Sequence, residues 1–315
     1  MEYVLAGVIL LLLEMAYLKA AVKLRIFDVP HHQSSHTGIV VRGGGIIFYL
    51  AYLMWFVLNG IPYPMIFVGL SILALVSFMD DIHSISPKIR LVCQFAAFII
   101  MLHETHVFTL QLPYILILSV VCVAAVNIYN FMDGINGITG GYSLVVLLAL
   151  TFVNECMIEF IDRRLLVTVL MAVGVFCLFN FRRQAKCFAG DVGSLSIGYI
   201  VIFLLLKLMF KTGHTYWIAF ISVYLVDGGL TILHRVLLQE NLMTPHKKHA
   251  FQIMANELGM PHLKVTGIYM GLQAVGCLWF ILSPGNATLI IQFFLLTMLY
   301  LMFMKKYYHL HGKKD

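Results

Sequence analysis

Two apolar stretches flank a short polar segment in residues 112–154, which read LPYILILSVVCVAAVNIYNFMDGINGITGGYSLVVLLALTFVN. Residues 112–128 and 138–154 are each apolar enough to cross a bilayer as a helix. The segment from Asn127 to Gly137 joins them and contains amides, a carboxylate and two glycines. Such polar groups at membrane depth are costly unless they line a wet cavity, so this segment marks a candidate functional site.

The composition of the whole chain indicates a polytopic membrane protein. Hydrophobic residues make up 61% of it, charged residues 11%, and the mean hydropathy is +0.92, outside the range of soluble globular domains. We predict an all-α fold, a helical bundle of about eleven membrane spans, or ten without the weakest segment, 91–103. Residues 1–315 form a single integral membrane domain. The predicted spans are 3–22, 44–59, 63–79, 91–103, 112–128, 138–154, 165–181, 195–210, 216–234, 265–282 and 287–304.

Basic residues are distributed unevenly between the two sides of this predicted bundle. One set of loops and the C-terminal tail carry sixteen of the 21 Lys and Arg residues. By the positive-inside rule this set is cytoplasmic, which places the N-terminus outside and the C-terminus inside. The net charge of +6 is then mainly an orientation signal, and we predict no nucleic-acid partner. The set comprises 23–43, 80–90, 127–137, 182–194, 235–264 and 305–315.

Acidic residues from three of these loops predict a site for a divalent cation and a phosphorylated ligand. The Asp80-Asp81 pair, Asp133 and Asp191 lie at the cytoplasmic ends of different spans. Mg²⁺ takes carboxylate, amide-carbonyl and water oxygens together with substrate phosphates. Two adjacent carboxylates cannot both lie in a low dielectric without a cation or a proton, and Arg90 downstream could hold a phosphate. Two solvated loop residues are the plainer alternative for the pair.

The polar segment has a helical spacing. Asn127, Asn130, Asp133 and Asn136 recur every three residues, which puts the amides and the carboxylate roughly on one face of a helical turn. The two glycines let the backbone bend and approach a ligand closely. An Asn-Gly pair alone would indicate only a turn, but the whole run between two spans favours a functional site.

A third motif, Phe188-Ala-Gly-Asp-Val-Gly-Ser194, follows basic residues that include Lys186. Its glycines predict backbone N–H groups that meet a phosphate at the N-terminus of the next helix, with Asp191 as a metal ligand. The alternative is a plain glycine turn with Asp191 near an N-cap.

The longest predicted loop, 235–264, is basic. It contains Met243-Thr-Pro-His-Lys-Lys-His249, and imidazole and ammonium groups beside an acidic site suit the charges of a diphosphate. A basic interfacial helix that touches anionic lipid headgroups is an equally weighted alternative.

Taken together, these motifs resemble the polyprenyl-phosphate N-acetylhexosamine-1-phosphate transferases of glycosyltransferase family 4. The resemblance extends over most of the chain, and all its motifs fall in loops that the charge count places on one side. The matching stretches are Asp28-Val-Pro30 with Ser34-Ser-His36 and Arg42-Gly-Gly-Gly45, Asp80-Asp81 with Arg90, Asn127 to Gly137, Ala189 to Ser194, and His246 to His249.

The resemblance implies transfer of an N-acetylaminosugar 1-phosphate from a UDP-sugar to undecaprenyl phosphate or a similar polyprenyl phosphate, with release of UMP. It implies Mg²⁺, for which Mn²⁺ is an alternative, and a multi-pass protein of the bacterial inner membrane with its site on the cytoplasmic face. The implied catalytic residues are Asp80, Asp81 and Asp133, and the implied metal ligands are Asp191 and Asn130. The implied substrate-binding residues are His36, Arg42, Arg90, Asn127, Asn136, Lys186, Gly190, Ser194, His246, Lys248 and His249.

Two departures from the family pattern refine this expectation. Asn136 stands where many bacterial members have a second aspartate, so it can bind but cannot act as base or nucleophile. The last loop lacks a dense histidine triplet, which favours initiation of O-antigen, capsule or a related polymer over the peptidoglycan lipid I reaction. The donor sugar (GlcNAc, GalNAc, FucNAc or QuiNAc) and a homodimeric state are left open.

Two other function classes compete with the enzyme. A secondary transporter would carry its charges near the bilayer midplane and show internal pseudo-symmetry, whereas here the charges lie at one face and no repeat is found. A non-catalytic scaffold that binds membrane lipid would need neither the Asp80-Asp81 pair nor Asp191. Metal-dependent release of UMP distinguishes the enzyme from both.

Overall fold

The computed structural model describes residues 2–28, 38–105, 111–241, 244 and 247–308. Almost all of this is helical, which confirms the predicted helical class. The helices are α1 (Glu2–Leu24), α2 (Ile46–Leu58), α3 (Pro64–Ile82), α4 (Pro87–Glu104), α5 (Leu112–Phe131), α6 (Ile138–Cys156), α7 (Arg163–Asn180), α8 (Gly190–Thr212), α9 (Ser222–Leu237), α10 (Ala250–Gln252), α11 (His262–Leu282) and α12 (Asn286–Lys305). Two short antiparallel strands, β1 (Phe27–Asp28) and β2 (Val40–Val41), pair Phe27 with Val41.

Each of the eleven predicted spans overlaps a helix, but the span count is only partly supported. Within the described ranges, nine helical segments are long and apolar enough to cross a membrane. Helix α2 has only 13 residues, and α4 does not reach the same apolarity because its first turns carry charged and polar side chains such as Arg90 and Gln94. The structure therefore shows a multi-span helical membrane protein, and eleven spans stay a prediction.

Helix α8 lies at the centre of the bundle. In its most apolar window 89% of the residues are buried, against 17% in α1 and 22% in α12. It contacts α2, α3 and α5 along its length. The outer helices expose large apolar side chains such as Leu116 and Met302, which suits a lipid environment but not water. Because α8 is packed on several sides, its N-terminus has a fixed position, and the loops of neighbouring helices can be arranged around it.

Helix α9 is held in place by amide side chains inside the bundle. A 3₁₀ segment, Thr215–Ile221, runs directly into it. At this junction the carbonyl of Ala219 accepts hydrogen bonds from the side-chain amides of Gln273 and Gln292, both at 3.2 Å. Backbone groups at membrane depth need such internal partners because no water replaces them. These contacts from α11 and α12 fix the position of α9. The side chains of Asp227 and Arg235 on this helix contact the last loop.

Candidate functional site

The side chain of Asp81, from the end of α3, caps the N-terminus of α8. Its two carboxylate oxygens accept hydrogen bonds from the backbone N–H groups of Asp191 (2.9 Å) and Val192 (3.0 Å), and the side chain is fully buried. The first N–H groups of a helix have no partner within it, and a carboxylate also complements the positive end of the helix dipole. This corrects one prediction: two N–H groups expected to meet a phosphate are already bonded to Asp81.

Two arginines tie three carboxylates together at this point. Arg90 places one terminal nitrogen 2.6 Å from Asp80 and the other 2.7 Å from Asp191. Arg42 pairs its Nε with Asp81 at 2.7 Å and has a terminal nitrogen 3.7 Å from Asp191. When all are ionised, three carboxylates face two guanidinium groups, so the cluster keeps one uncompensated negative charge.

The members of this cluster differ in how open they are. The side chain of Asp81 is 0% exposed, that of Asp80 8% and that of Asp191 16%. Asp80 is also occupied by the backbone N–H of Ile85 at 2.6 Å. Asp191 is therefore the carboxylate of the three that is best placed to meet a ligand. Partial burial opposes the charge of Arg42, but the neighbouring Asp81 and Asp191 carboxylates raise its pKa above the usual value.

Glycines allow the first loop to pass against the N-terminus of α8. A Cβ on Gly45 would lie 2.3 Å from the Cα of Gly193, and a Cβ on Gly190 would lie 2.5 Å from a carboxylate oxygen of Asp81. Gly190 also has a φ of +70°, which favours glycine. The loop is fixed by hydrogen bonds from the N–H of Gly45 to the carbonyl of Ala189 and from its neighbour Gly44 to Phe188. The glycines thus bring Arg42 beside Asp81.

The end of α5 lies on the same side of α8. Ser194 donates from its hydroxyl to the side-chain oxygen of Asn130 at 2.7 Å. One helical turn earlier, Asn127 exchanges side-chain hydrogen bonds with Gln94 of α4, at 2.6 and 3.2 Å. The amide of Asn127 therefore joins α4 to α5, whereas the amide of Asn130 joins α5 to the N-terminal part of α8. The side chains predicted to share one face in the Asn127–Asn136 run therefore contact different helices.

Asp133 follows α5 and accepts a hydrogen bond from the hydroxyl of Thr139 at 2.6 Å. Burial raises the pKa of Asp133 to about 6, an effect that the Thr139 bond opposes and the nearby Asp191 carboxylate reinforces. The group is thus poised to gain or lose a proton near neutral pH, as a general acid or base must.

Asn136 joins three segments of backbone. Its side-chain nitrogen donates to the carbonyls of Arg182 (2.9 Å) and Arg183 (3.1 Å), and its own carbonyl accepts from Thr266 of α11 at 2.9 Å. The residue is buried. Its predicted substrate contact is untested, and these bonds indicate that it positions the loop between α7 and α8.

The predicted basic residues lie in different surroundings. Lys186 is exposed in the loop before α8. Lys248 forms an ion pair with Glu240, and His249 is buried with its Nδ1 3.4 Å from the carboxylate of Asp227. His36 and His246 lie outside the described residues.

Asp227 and Glu240 are parts of this arrangement that the sequence reasoning missed, and Arg235, predicted as the first residue of the basic loop, lies in α9. Asp227 and Arg235 are almost fully buried in α9 and contact the last loop. The apolar average of the segment 216–234 concealed Asp227. A usable signal was present, since Asp227, Thr231 and Arg235 are polar residues spaced by four in an otherwise apolar span, and ionisable residues within spans mark functional positions.

The chemistry of the cluster can be compared with what a magnesium ion needs. Among the residues that the structure describes, no group of three or more His, Cys, Asp or Glu side chains is arranged as a ready metal site. The available ligands are carboxylate and amide oxygens, those of Asp191 and Asn130, and these are the hard donors that Mg²⁺ prefers. Because Mg²⁺ commonly uses one or two carboxylates and completes its shell with substrate phosphates, the residues fit a cation that arrives with a phosphorylated ligand.

Comparison with known proteins points to the same family as the sequence motifs. Residues 63–209 match the model of glycosyl transferase family 4. The undecaprenyl-phosphate alpha-N-acetylglucosaminyl 1-phosphate transferase of Escherichia coli O157:H7 is 27% identical over 266 residues, which cover 75% of this chain and 71% of that protein. A probable undecaprenyl-phosphate N-acetylglucosaminyl 1-phosphate transferase of Bacillus subtilis (strain 168) is 24% identical and covers 80% of this chain and 76% of its own length. The match over residues 63–209 and the similarity to these relatives thus agree with the resemblance to glycosyl transferase family 4 that the sequence motifs carry.

Proposed function

We propose that this protein transfers N-acetylglucosamine 1-phosphate from UDP-N-acetylglucosamine to undecaprenyl phosphate and releases UMP. The names of the relatives support this choice of sugar and lipid among those that the sequence left open. The observation that carries the proposal is the convergence of Asp80, Asp81 and Asp191 with Arg42 and Arg90 at one end of a membrane helix. A site at a helix end can receive a lipid phosphate from the bilayer and a nucleotide from water.

The reaction exchanges one phosphorus–oxygen bond for another. An oxygen of the lipid phosphate attacks the phosphorus that bears the sugar, and the bond from that phosphorus to the UMP oxygen breaks. The products are an undecaprenyl diphosphate sugar and UMP. Catalysis of such a transfer depends mainly on positioning the groups and neutralising their charge.

The two arginines are the groups best placed to bind phosphate oxygens. The side chains of Arg42 and Arg90 are 32% and 25% exposed, more than those of their carboxylate partners. Guanidinium groups bind phosphate in a bidentate way, and ligand phosphates can share them with Asp191. Lys186, Lys248 and His249 are proposed to neutralise the remaining diphosphate charge.

Asp191 and Asn130 are proposed to hold Mg²⁺ together with the diphosphate. When bound, the cation would supply Lewis-acid stabilisation of the charge on the transferring phosphoryl group. The burial of Asp81 and its capping bonds favour a positioning role for it. Asp80 is proposed to orient Arg90, and Asp133 to act as an acid or base or, in a covalent route, as a nucleophile.

We further propose that the site faces the cytoplasm of a bacterium, from the inner membrane, and that the product initiates a cell-surface glycan such as O-antigen or capsule. The positive-inside distribution of Lys and Arg supports this orientation. It places the site on the side where nucleotide sugars are made.

Release of UMP by the purified protein in detergent tests the proposal. The protein would be given undecaprenyl phosphate, a panel of UDP-N-acetylhexosamines, and Mg²⁺, Mn²⁺ or EDTA. We expect release with UDP-N-acetylglucosamine that EDTA abolishes. Asp191→Asn should lower the rate at least ~100-fold, because a bound cation contributes several kcal/mol and ~1.4 kcal/mol is a factor of ten.

The matched control is Asp162→Asn, the same chemical change at the N-cap of α7, at the end of that helix opposite to the loop that leads into α8; it should leave the rate within about twofold of wild type. No release of UMP with any donor by the folded protein would refute the transferase reaction. Release that is equal in Mg²⁺ and EDTA would refute the metal.

A further inference from the structure

A line of polar side chains runs along one buried face of α9. Asp227, Thr231 and Arg235 follow each other at intervals of four residues, and each is at most 3% exposed. Side chains four apart lie on the same face of a helix. Burying an acid and a guanidinium in a membrane helix is costly unless both are well bonded, so their partners indicate what the line is for.

Asp227 has two partners at the far end of the last loop and two in neighbouring turns and helices. Its carboxylate accepts hydrogen bonds from the backbone N–H of Ala250 at 3.0 Å and from the hydroxyl of Tyr269 at 2.5 Å. The same carboxylate lies 3.4 Å from Nδ1 of His249 and accepts from Thr231 at 3.2 Å. Asp227 thus caps the turn that begins at Ala250 and holds the adjoining imidazole.

The partners of Arg235 lie at the near end of the same loop. Its guanidinium donates to the backbone carbonyls of Asn241 (2.6 Å) and Thr244 (3.1 Å) and pairs with the carboxylate of Glu240 at 3.1 Å. Glu240 in turn forms an ion pair with Lys248, and this pair joins the two ends of the loop. One helix face therefore bonds to both ends of residues 238–249.

The far end of this loop contacts the candidate site. The centre of the His249 ring lies 6.4 Å from that of Phe131, which is the last residue of α5 and follows Asn130 in the sequence. A Cβ on Gly134 would lie 2.9 Å from the ring of Phe251. Any movement of the loop would thus change the position of His249 relative to the end of α5.

We propose that Asp227 and Arg235 are positioning residues that clamp the two described ends of the last loop, residues 240–241 with 244 and residues 248–249, so that Lys248 and His249 are held beside the end of α5 for the diphosphate of the substrate. Asp227 caps the turn that follows His249 and has its carboxylate 3.4 Å from Nδ1 of that residue, and Arg235 binds the carbonyls that precede the basic residues. The clamp itself follows from these contacts, whereas its effect on phosphate binding rests on the proposed transferase function.

Limited trypsin digestion of the full-length protein in detergent tests the clamp without reference to activity. Trypsin cuts after Lys247 and Lys248, and cleavage of a folded protein follows the local opening of the segment. We expect Asp227→Asn and Arg235→Gln each to raise the rate of cutting at these two lysines at least about tenfold, identified by fragment mass.

The control is Thr151→Val in α6, a threonine whose hydroxyl donates to the Leu147 carbonyl of its own helix, and its cutting rate should stay within about twofold of wild type. Arg235→Gln acts at the other end of the loop, so it tests the clamp even if Asp227→Asn does not fold. Cutting rates in folded variants that equal the wild-type rate would overturn the proposal.

A double-mutant cycle tests whether Asp227 acts through His249. UMP release would be measured for Asp227→Asn, His249→Gln and the double variant. We expect each single change to lower the rate about tenfold or more, and the double variant to match His249→Gln within about twofold, because neighbours in one network are not additive. Full additivity would overturn the positioning role. A wild-type protein that releases no UMP would instead refute the proposed function, and the digestion would still decide the clamp.

Discussion

Replacing Asp81 by asparagine is expected to destabilise the fold more than it impairs any direct contact with substrate. The carboxylate is fully buried and uses both oxygens for the N–H groups at the start of α8, while one oxygen also meets Arg42. Asparagine has the same shape but only one acceptor oxygen. Its NH₂ group would face either a backbone N–H or the guanidinium, so that a donor would meet a donor.

The size of the effect follows from these contacts. Each hydrogen bond to a charged group contributes ~1.5–3 kcal/mol, and breaking a buried ion pair by removing one partner costs ~3–5 kcal/mol. Because the three contacts share one carboxylate we take ~3–5 kcal/mol for the whole change. At ~2.1 cal/mol/K per residue, a chain of 315 residues has an unfolding entropy of about 0.7 kcal/mol/K. The expected drop in melting temperature is then roughly 5–8 °C.

Thermal unfolding in detergent, followed by tryptophan fluorescence at one scan rate, measures this drop. Asp191→Asn is the comparison, because the Asp191 side chain is 16% exposed and its oxygens bond to arginines. It should lose UMP release while melting within ~2 °C of wild type, about the effect of 1 kcal/mol. If Asp81→Asn melted like wild type and yet released no UMP, Asp81 would act on substrate and the capping interpretation would be wrong.

Three further predictions concern Arg90, Gly45 and Asp133. Arg90→Lys should lower UMP release at least ~10-fold, because one ammonium cannot reach both carboxylates that the guanidinium spans; wild-type turnover would remove this bridge from the mechanism. Gly45→Ala should lower the free energy of unfolding by ~1–3 kcal/mol, because its Cβ would overlap α8. Gly174→Ala, whose Cβ meets open space in α7, should be neutral or stabilising by up to ~1 kcal/mol. Equal effects of the two changes would contradict the close approach. Burial raises the pKa of Asp133 to about 6, so the folded protein favours the protonated acid. As the pH rises from about 4 to about 6, the wild-type protein should therefore lose of order 1–2 kcal/mol of stability relative to Asp133→Asn. A difference in melting temperature that is constant over this pH range would refute the shift.

Hydropathy predicts the class of fold because the apolar composition of a membrane helix is visible in its own stretch of sequence. A run of apolar residues identifies itself without knowledge of its neighbours, and α5 and α6 lie close to the predicted 112–128 and 138–154. Helix α4 was the weakest prediction for the same reason. It forms a helix from Pro87 to Glu104, but side chains such as Gln94 bond to neighbouring helices and lower its hydropathy.

The sequence predicts where the site lies, but it does not predict which side chains within it pair with one another. Asp80, Asp81 and Asp191 were expected to meet, and the structure brings them together around Arg42 and Arg90. Which carboxylate pairs with which donor depends on contacts between distant parts of the chain, such as Asp81 with the backbone 110 residues later. No local pattern encodes that pairing. The spacing of the polar segment likewise placed its amides on one face but could not assign them to different helices.

The capping of α8 by Asp81 constrains how the substrate can bind. A glycine-rich loop before a helix suggests that phosphate meets the helix N-terminus directly, and the N–H groups of Asp191 and Val192 would then be its donors. Those groups are already bonded to a fully buried carboxylate. A phosphate that displaced Asp81 from these N–H groups would leave a buried acid without two of its hydrogen-bond donors, which costs several kcal/mol. If the proposed function is correct, the diphosphate would therefore be held by side chains that reach out from the cluster, chiefly the two arginines, and the capped helix would keep Asp191 in a fixed position between them.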